Sequence, residues 1–299
     1  MKNLLFTGAS GFLGNQIRPI FEEKYSVKTI GLTAKDNYNL NLAIDVPHLS
    51  DQFDIVLHAA GKAHTVPKTE AESQVFYDVN LQGTKNLCEA LEKCGVPKSF
   101  VFISSVAVYG LDYGVEITED TRLNGTTPYA LSKIQAEQFL TEWCSKYNVI
   151  LSIIRPSLIA GPKPPGNLGA MIHGIKTGKY FSIGEGNARK SVLMVQDIAK
   201  LVPLLAEKSG IYNVCDTEQP TFRELEKLIA MQLGKSLPLS IPYKLARFFA
   251  RLGDIFGDKS PINSNKLDKI TKSLTFSNEK ARKELGWEPL NVLENFKIH

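Results

Sequence analysis

Residues 4–14 run Leu4-Leu5-Phe6-Thr7-Gly8-Ala9-Ser10-Gly11-Phe12-Leu13-Gly14. A short apolar run ends in three glycines spaced three apart, and these open a segment with helical patterning over 14–24. Each glycine has its own task. Gly8 permits a tight turn, Gly11 lets the backbone approach a pyrophosphate with no Cβ between them, and Gly14 lets the helix pack closely on the strand. Unpaired N–H groups at the helix start then hold phosphate. Glycine spacing alone is weak; its place between a strand and a helix carries the inference.

Outward from this turn, the first half alternates two periodicities. Strands are predicted at 4–7, 27–32, 55–59, 100–104 and 149–155. Helices are predicted at 14–24, 129–147 and 80–94, the last with Leu81, Thr84, Leu87 and Leu91 at helical spacing. Continuously apolar strands separated by helices imply a parallel sheet covered on both faces. Right-handed crossovers make it an α/β doubly wound sheet of Rossmann type. Gly161-Pro162-Lys163-Pro164-Pro165-Gly166 breaks the pattern, because prolines cannot continue a helix or a central strand. Beyond it, a helix at 195–207 and a strand at 210–214 return, and the chain is mainly helical from Thr221 to a Leu285-Gly286-Trp287 stop. The expected organisation is a dinucleotide-binding domain of 1–160 plus 188–214, with a smaller substrate-binding domain of 161–187 plus 215–299.

Of 299 residues, 43% are apolar and 22% charged, which excludes wholesale disorder. Lys+Arg 35 against Asp+Glu 31 leaves +4 with no long basic run, so nucleic acid is not an expected partner. Cys88, Cys94, Cys144 and Cys215 form no CxxC pair and lack zinc-ligand spacing to histidine. They read as reduced, mostly buried thiols, with no metal site. The first apolar run leads straight into glycines, leaving no room for a signal peptide, and no stretch is long enough to span a membrane. The expected location is cytoplasmic. Residues 241–256 are amphipathic, with Lys244, Arg247 and Arg251 beside Phe248, Phe249 and Phe256. A packed helix with solvated basic residues is expected there, in preference to attachment at a membrane surface.

Six further stretches match one family in order and spacing. They are His58-Ala59-Ala60-Gly61, Val79-Asn80 with Gly83-Thr84, Ser104-Ser105-Val106-Ala107-Val108-Tyr109-Gly110, Tyr129-Ala130-Leu131-Ser132-Lys133, Arg155-Pro156, and the tail at 279–287. With the GxxGxxG turn, the chain resembles the extended branch of the short-chain dehydrogenase/reductase superfamily, the NAD-dependent epimerase/dehydratase type. The resemblance spans essentially the whole chain. It implies a catalytic set of Ser105, Tyr129 and Lys133. It implies NAD or NADP held by Gly8, Ser10, Gly11, Phe12, Leu13, Gly14, Asp45, Val46, Ala59, Ala60, Gly61, Tyr129, Lys133 and Pro156. Asn80 would brace neighbouring backbone. No acid stands at the expected point after the second strand, although Asp36 is close, and Thr33 and Lys35 are placed to meet a 2′-phosphate; the choice of dinucleotide stays open.

The chemistry needs these residue types. Tyr129 and Lys133 are i, i+4 on one helix face. Free tyrosine has a pKa of about 10, and a nearby ammonium with a cationic nicotinamide favours the phenolate. Tyr129 then exchanges a proton with a sugar hydroxyl or ketone, and Ser105 holds the reacting oxygen. Where dehydratases of this branch carry an Asp-Glu pair after the catalytic Ser or Thr, this chain has Val106 and Ala107, which disfavours 4,6-dehydration and decarboxylation. On the substrate side the resemblance implies Lys62, His64, Ser105, Asn167 and Arg189, with Asn167 and Arg189 on a diphosphate. The implied substrate is a UDP-sugar, N-acetylated, epimerised at C4; reduction of a 4-keto sugar uses the same residues. A homodimer through helices 80–94 and 129–147 is expected from the family. A non-catalytic dinucleotide sensor would be expected to lack the Tyr-Lys pair, and a reductase of apolar alcohols would lack the phosphate grips.

Overall fold

A computed structural model describes residues 1–260 and 262–298, with the side chains of Asp258 and Lys259 left aside. In chain order the strands are β1 Asn3–Thr7, β2 Ser26–Gly31, β3 Tyr38–Asn39, β4 Ile55–His58, β5 Ser99–Ile103, β6 Gly114–Ile117, β7 Ile150–Pro156, β8 Leu158–Ala160, β9 Ser182–Ile183, β10 Val192–Met194, β11 Gly210–Val214, β12 Ser240–Ile241 and β13 Leu274–Phe276. The helices are α1 Phe12–Glu22, α2 Glu70–Tyr77, α3 Gly83–Cys94, α4 Pro128–Tyr147, α5 Gly166–Thr177, α6 Val195–Leu205, α7 Phe222–Gln232, α8 Tyr243–Gly253, α9 Ser264–Thr271, α10 Glu279–Leu285 and α11 Val292–Asn295.

Seven strands form one parallel sheet in the order β11-β7-β5-β4-β1-β2-β3. The chain winds outward from β1 in both directions, so the switch point lies between β1 and β4. A ligand crevice is expected at their carboxyl ends. Side chains alternate across β1. Leu4 and Phe6 join Ile17 and Phe21 of α1 and Ile198, Leu201 and Val202 of α6 on one face. Leu5 joins Val56, Phe100 and Phe102 with Leu87 and Leu91 of α3 and Leu140 and Trp143 of α4 on the other. Each such side chain contributes roughly 1.5–3 kcal/mol by leaving water. This is the expected doubly wound sheet.

A separate apolar cluster joins Leu168, Met171 and Ile175 of α5 to Leu225 and Ile229 of α7 and to Phe296. The tail divides its allegiance: Ala281 and Trp287 pack in the sheet core beside α6 and β11. All four cysteines are free, with Cys88, Cys144 and Cys215 buried.

One expectation is corrected and another is refined. The helix at 80–94 begins much earlier: α2 continues through a wide π-helical stretch, Asp78–Gln82, into α3. The polar α2 buries only Phe76, so it shows no apolar stripe to read. The helix over 241–256 is packed and its basic residues are exposed, as expected, but it packs through small residues and not through its phenylalanines. Only Ala246, Ala250 and Gly253 of α8 are buried, while Phe248, Phe249 and Phe256 face outward. No helix among the described residues is long and apolar enough to cross a membrane.

Candidate active site

The glycine turn leaves β1 with Gly8 at φ +77°, and a Cβ there would lie 2.6 Å from the Ala60 nitrogen. A Cβ on Gly14 would lie 2.4 Å from the Ala9 Cα and the Gly8 oxygen, so α1 can sit this close only with glycine. Gly11 differs: a Cβ there would meet only the Gly8 oxygen, at 3.3 Å. It lines the central cavity with Phe12 and Leu13 and caps α1 with no side-chain hydrogen bond to the first turn. The protein's own packing hardly requires glycine at position 11, whereas an approaching pyrophosphate does.

A buried histidine holds the neighbouring strand end. The Thr84 hydroxyl donates its one hydrogen to the Asn80 carbonyl at 2.6 Å. His58 Nε2, 2.8 Å from the same hydroxyl, must therefore carry the ring proton and donate. His58 Nδ1 is then an acceptor for the Thr7 hydroxyl at 2.6 Å, and Thr7 Oγ1 accepts from the Ala60 amide at 3.1 Å. Burial keeps the ring neutral, with its pKa lowered to about 3. Asn80 grips Lys62 at both backbone groups, its Oδ1 accepting from the amide at 2.7 Å and its Nδ2 donating to the carbonyl at 3.2 Å. The expected bracing role of Asn80 is thus visible, and Ala59–Gly61 are positioned from both sides.

The cavity, about 340 Å³, brings Ser105, Tyr129 and Lys133 together with Gly8, Gly11, Phe12, Leu13, Ala59, Gly61, Lys62, His64 and Pro156. Thr127 caps α4 and Pro128 occupies its first position, so Tyr129 and Lys133 stand one turn apart, facing the strand ends. The Lys133 ammonium donates to the Ile103 carbonyl at 2.8 Å and lies 4.6 Å from the centre of the Phe102 ring. Burial lowers its pKa to about 8, opposed by the nearby Glu137 carboxylate. Ser105 Oγ accepts from the Ala107 amide at 3.1 Å, capping the 3-10 turn Val106–Tyr109, and the hydroxyl is also hydrogen-bonded to Tyr129. Burial raises the Tyr129 pKa, and the Ser105 hydrogen bond opposes this. The expected acidification of this phenol rests on Lys133 together with a bound cationic nicotinamide; within the chain alone, burial outweighs the Ser105 hydrogen bond.

Glu137, one turn beyond Lys133, forms a buried two-point ion pair with Arg155, at 3.1 Å and 2.6 Å, and accepts from Ser104 Oγ at 2.5 Å. Arg155 donates on to the Tyr109 hydroxyl at 3.0 Å, which donates to Asn213 at 2.7 Å. The Tyr109 and Arg155 of the family-like motifs are therefore framework. Glu137 was legible in the sequence only as the i+4 neighbour of Lys133.

Several expected residues lie outside this cavity. Ser10 is exposed on the turn, and Gly14 and Ala60 are behind it. Asp45 and Val46 are exposed on the loop after β3. The expected gap after β2 is filled from further along: Asp36 folds back over Gly31, where a Cβ would meet its carboxylate at 2.5 Å, and accepts from the Thr33 hydroxyl at 2.6 Å. Its Oδ2 accepts from both the amide and the hydroxyl of Thr33, while its Oδ1 is buried without a protein partner. An unpartnered carboxylate oxygen at this strand end suits a ribose hydroxyl. Asn167 is exposed in the first turn of α5. Arg189 is placed elsewhere: its guanidinium donates to the Gln219 carbonyl at 2.6 Å and lines a separate cavity with Glu116, Glu218 and Glu224. The neighbouring Lys190 is partly buried, which lowers its pKa to about 8, with Asp112 opposing and Lys269 adding to the shift.

A parallel switch-point crevice with a glycine turn and a Ser-Tyr-Lys set defines a nicotinamide-dependent enzyme of the extended short-chain dehydrogenase type. The chain belongs to the NAD dependent epimerase/dehydratase family, whose model matches residues 4–215. It is 30% identical to the N-acetyl-alpha-D-glucosaminyl-diphospho-ditrans,octacis-undecaprenol 4-epimerase of Escherichia coli O157:H7, over 93% of this chain and 88% of that one. Its fold is similar to UDP-glucose 4-epimerase of Thermotoga maritima with UDP-glucose, at TM-score 0.75 and 20% identity over 98% and 95% of the two chains. It is also similar to RMD from Pseudomonas aeruginosa complexed with NADPH, at TM-score 0.74 and 22% identity over 99% and 96%.

Proposed function

We propose that the enzyme is a 4-epimerase of an N-acetylated hexose carried on a diphosphate, with NAD as resident cofactor. The observation that carries this is the content of the catalytic cavity. Ser105, Tyr129 and Lys133 meet there, and the two positions after Ser105 are Val106 and Ala107. Neither side chain can move a proton, so the residues present serve oxidation and reduction at one carbon and no elimination. When bound, the nicotinamide supplies the hydride acceptor and donor.

The glycine turn holds the pyrophosphate, Asp36 takes the adenosine ribose, and Lys133 takes the nicotinamide ribose. Asp36 favours NAD, since a 2′-phosphate beside a buried carboxylate is repelled. Ser105 orients the C4 oxygen, and Tyr129 removes its proton and later returns one. Lys62 and His64 line the same cavity and are the proposed sugar contacts. The group beyond the diphosphate is uridine in the family-based expectation of a UDP-sugar. The Escherichia coli relative carries a polyprenol there in its name, and the outward apolar face of α8 favours that carrier as a second reading.

The test is to identify the co-purifying dinucleotide by mass spectrometry and to supply UDP-GlcNAc and polyprenyl-diphosphate-GlcNAc without added reductant. Conversion to the C4 epimer is expected. Turnover only of a 4-keto sugar, with NAD(P)H consumed, would replace the epimerase with a ketoreductase. Purification without dinucleotide and no affinity for one would leave a different activity altogether.

A further inference from the structure

Helix α8 has three distinct faces. At 100° per residue, Ala246, Ala250 and Gly253 share one, and it is the buried one, packed with Leu267 of α9 and with Ile183, Ile241 and Ile262. Leu245, Phe248, Phe249 and Leu252, at i, i+3, i+4 and i+7, share a second whose side chains are each about half exposed. Lys244, Arg247 and Arg251, at i, i+3 and i+7, form an exposed third stripe. The stripes are each about a third of a turn apart. The apolar face continues past the helix end through Ile255 and Phe256, which are 77% and 70% exposed. Among the described residues, every outward phenylalanine except Phe181 lies on this one segment.

A face of this size costs free energy in water and has no cover among the described residues. Residues 241–253 contain no acid, and the basic stripe runs alongside the apolar one. Large apolar side chains flanked by Lys and Arg match the boundary of an anionic bilayer, where rings enter the acyl region and cations meet lipid phosphates. The small residues Ala246, Ala250 and Gly253 on the buried face let α8 lie flat on the protein while its outer side stays free. The helix packs on α9, whose Lys269 pairs with Asp112 at 3.2 Å, just beyond the Val106–Tyr109 turn that Ser105 caps.

We propose that α8 and the residues to Phe256 are an interfacial membrane anchor that docks the enzyme on anionic lipid. The docking stands on its own. That it serves a lipid-linked substrate rests on the second reading above.

The test uses the full chain and flotation with vesicles of phosphatidylcholine alone or with about one-third phosphatidylglycerol. Binding is expected to the anionic vesicles and to weaken several-fold when salt is raised from 0.1 to 0.5 M. Phe248→Glu with Phe249→Glu is expected to lower vesicle binding at least tenfold. Lys244→Glu with Arg247→Glu and Arg251→Glu is expected to remove the preference for phosphatidylglycerol. Circular dichroism and turnover of UDP-GlcNAc in solution should stay within twofold for both, since neither set touches the cavity. Absence of vesicle binding by the parent, or undiminished binding by both variants, overturns the anchor. So does a parent dimer that the Phe248→Glu, Phe249→Glu variant converts to monomers without vesicle binding by either, because the face then docks a second copy. A parent that binds vesicles but turns over neither sugar keeps the anchor and fails only the epimerase.

Discussion

Glu137→Gln preserves shape at the centre of the framework and removes one charge. In the parent, Glu137 Oε2 accepts from Arg155 Nη2 at 2.6 Å, and Oε1 accepts from Arg155 Nε and Ser104 Oγ. Both side chains of the pair are about 95% or more buried. The amide leaves a guanidinium buried without its counter-charge and sets one N–H donor against another. Breaking such a pair costs roughly 3–5 kcal/mol. At about 2.1 cal/mol/K per residue, a chain of 299 residues has an unfolding entropy of roughly 0.6 kcal/mol/K, so the midpoint should fall by about 5–8 °C. A second effect reaches the chemistry. The Glu137 carboxylate holds up the pKa of Lys133 against burial, which has brought it to about 8. Without that charge, Lys133 loses its proton at lower pH, and the alkaline limb of kcat/KM moves down. Thermal unfolding by circular dichroism and a pH–rate profile read the two effects. A midpoint within about 1 °C of the parent refutes the ion-pair energetics, and an unmoved alkaline limb refutes the coupling to Lys133. Replacing both partners by apolar residues should recover most of the stability and leave the limb shifted.

Tyr129→Phe should abolish turnover while dinucleotide affinity, read by calorimetry, stays nearly unchanged; turnover within tenfold of the parent would remove Tyr129 as proton carrier. Gly11→Ala should weaken dinucleotide binding at least tenfold yet shift the unfolding midpoint by only a degree or two; equal binding would place the pyrophosphate elsewhere. Arg189→Ala should leave KM for the sugar substrate within twofold, since its guanidinium is tied to Gln219 outside the catalytic cavity, and a tenfold rise in KM would restore the family-based expectation. His58 takes up a proton near 6.5 when unfolded but only near 3 when folded, so stability is lost as pH falls from 6.5 toward 3. The loss should be on the order of 4 kcal/mol. His58→Asn should flatten that slope in urea titrations at pH 4 to 7, and an unchanged slope would show that another group carries it.

Much of the site was legible because its signals are local. The glycine turn is a statement about backbone and Cβ room within seven residues, and Tyr129, Lys133 and their helix face follow from a spacing of four. Where partners come from distant strands, spacing offered no guide. Asp36 reaches back to Gly31 by a loop fold that the second strand does not announce. Arg189 and Lys190 alternate sides, and only their surroundings separate a guanidinium spent on Gln219 from a half-buried ammonium near Asp112. The amphipathic pattern at 241–256 was plain, but amphipathicity does not say which side is covered. Three small residues cover too little to bury the phenylalanines opposite.

By itself the sequence determined the parallel doubly wound sheet, the dinucleotide turn and the Ser-Tyr-Lys set. The sheet rests on short-range periodicity and the turn on glycines that only one backbone geometry accepts, while the Ser-Tyr-Lys set rests on the resemblance of its motifs to the family. Tertiary structure alone decided the tautomer of His58, the grip of Glu137 on Arg155, the place of Arg189 and the outward face of α8. Those depend on which atoms arrive from elsewhere in the chain to complete a hydrogen bond, a charge pair or an apolar contact.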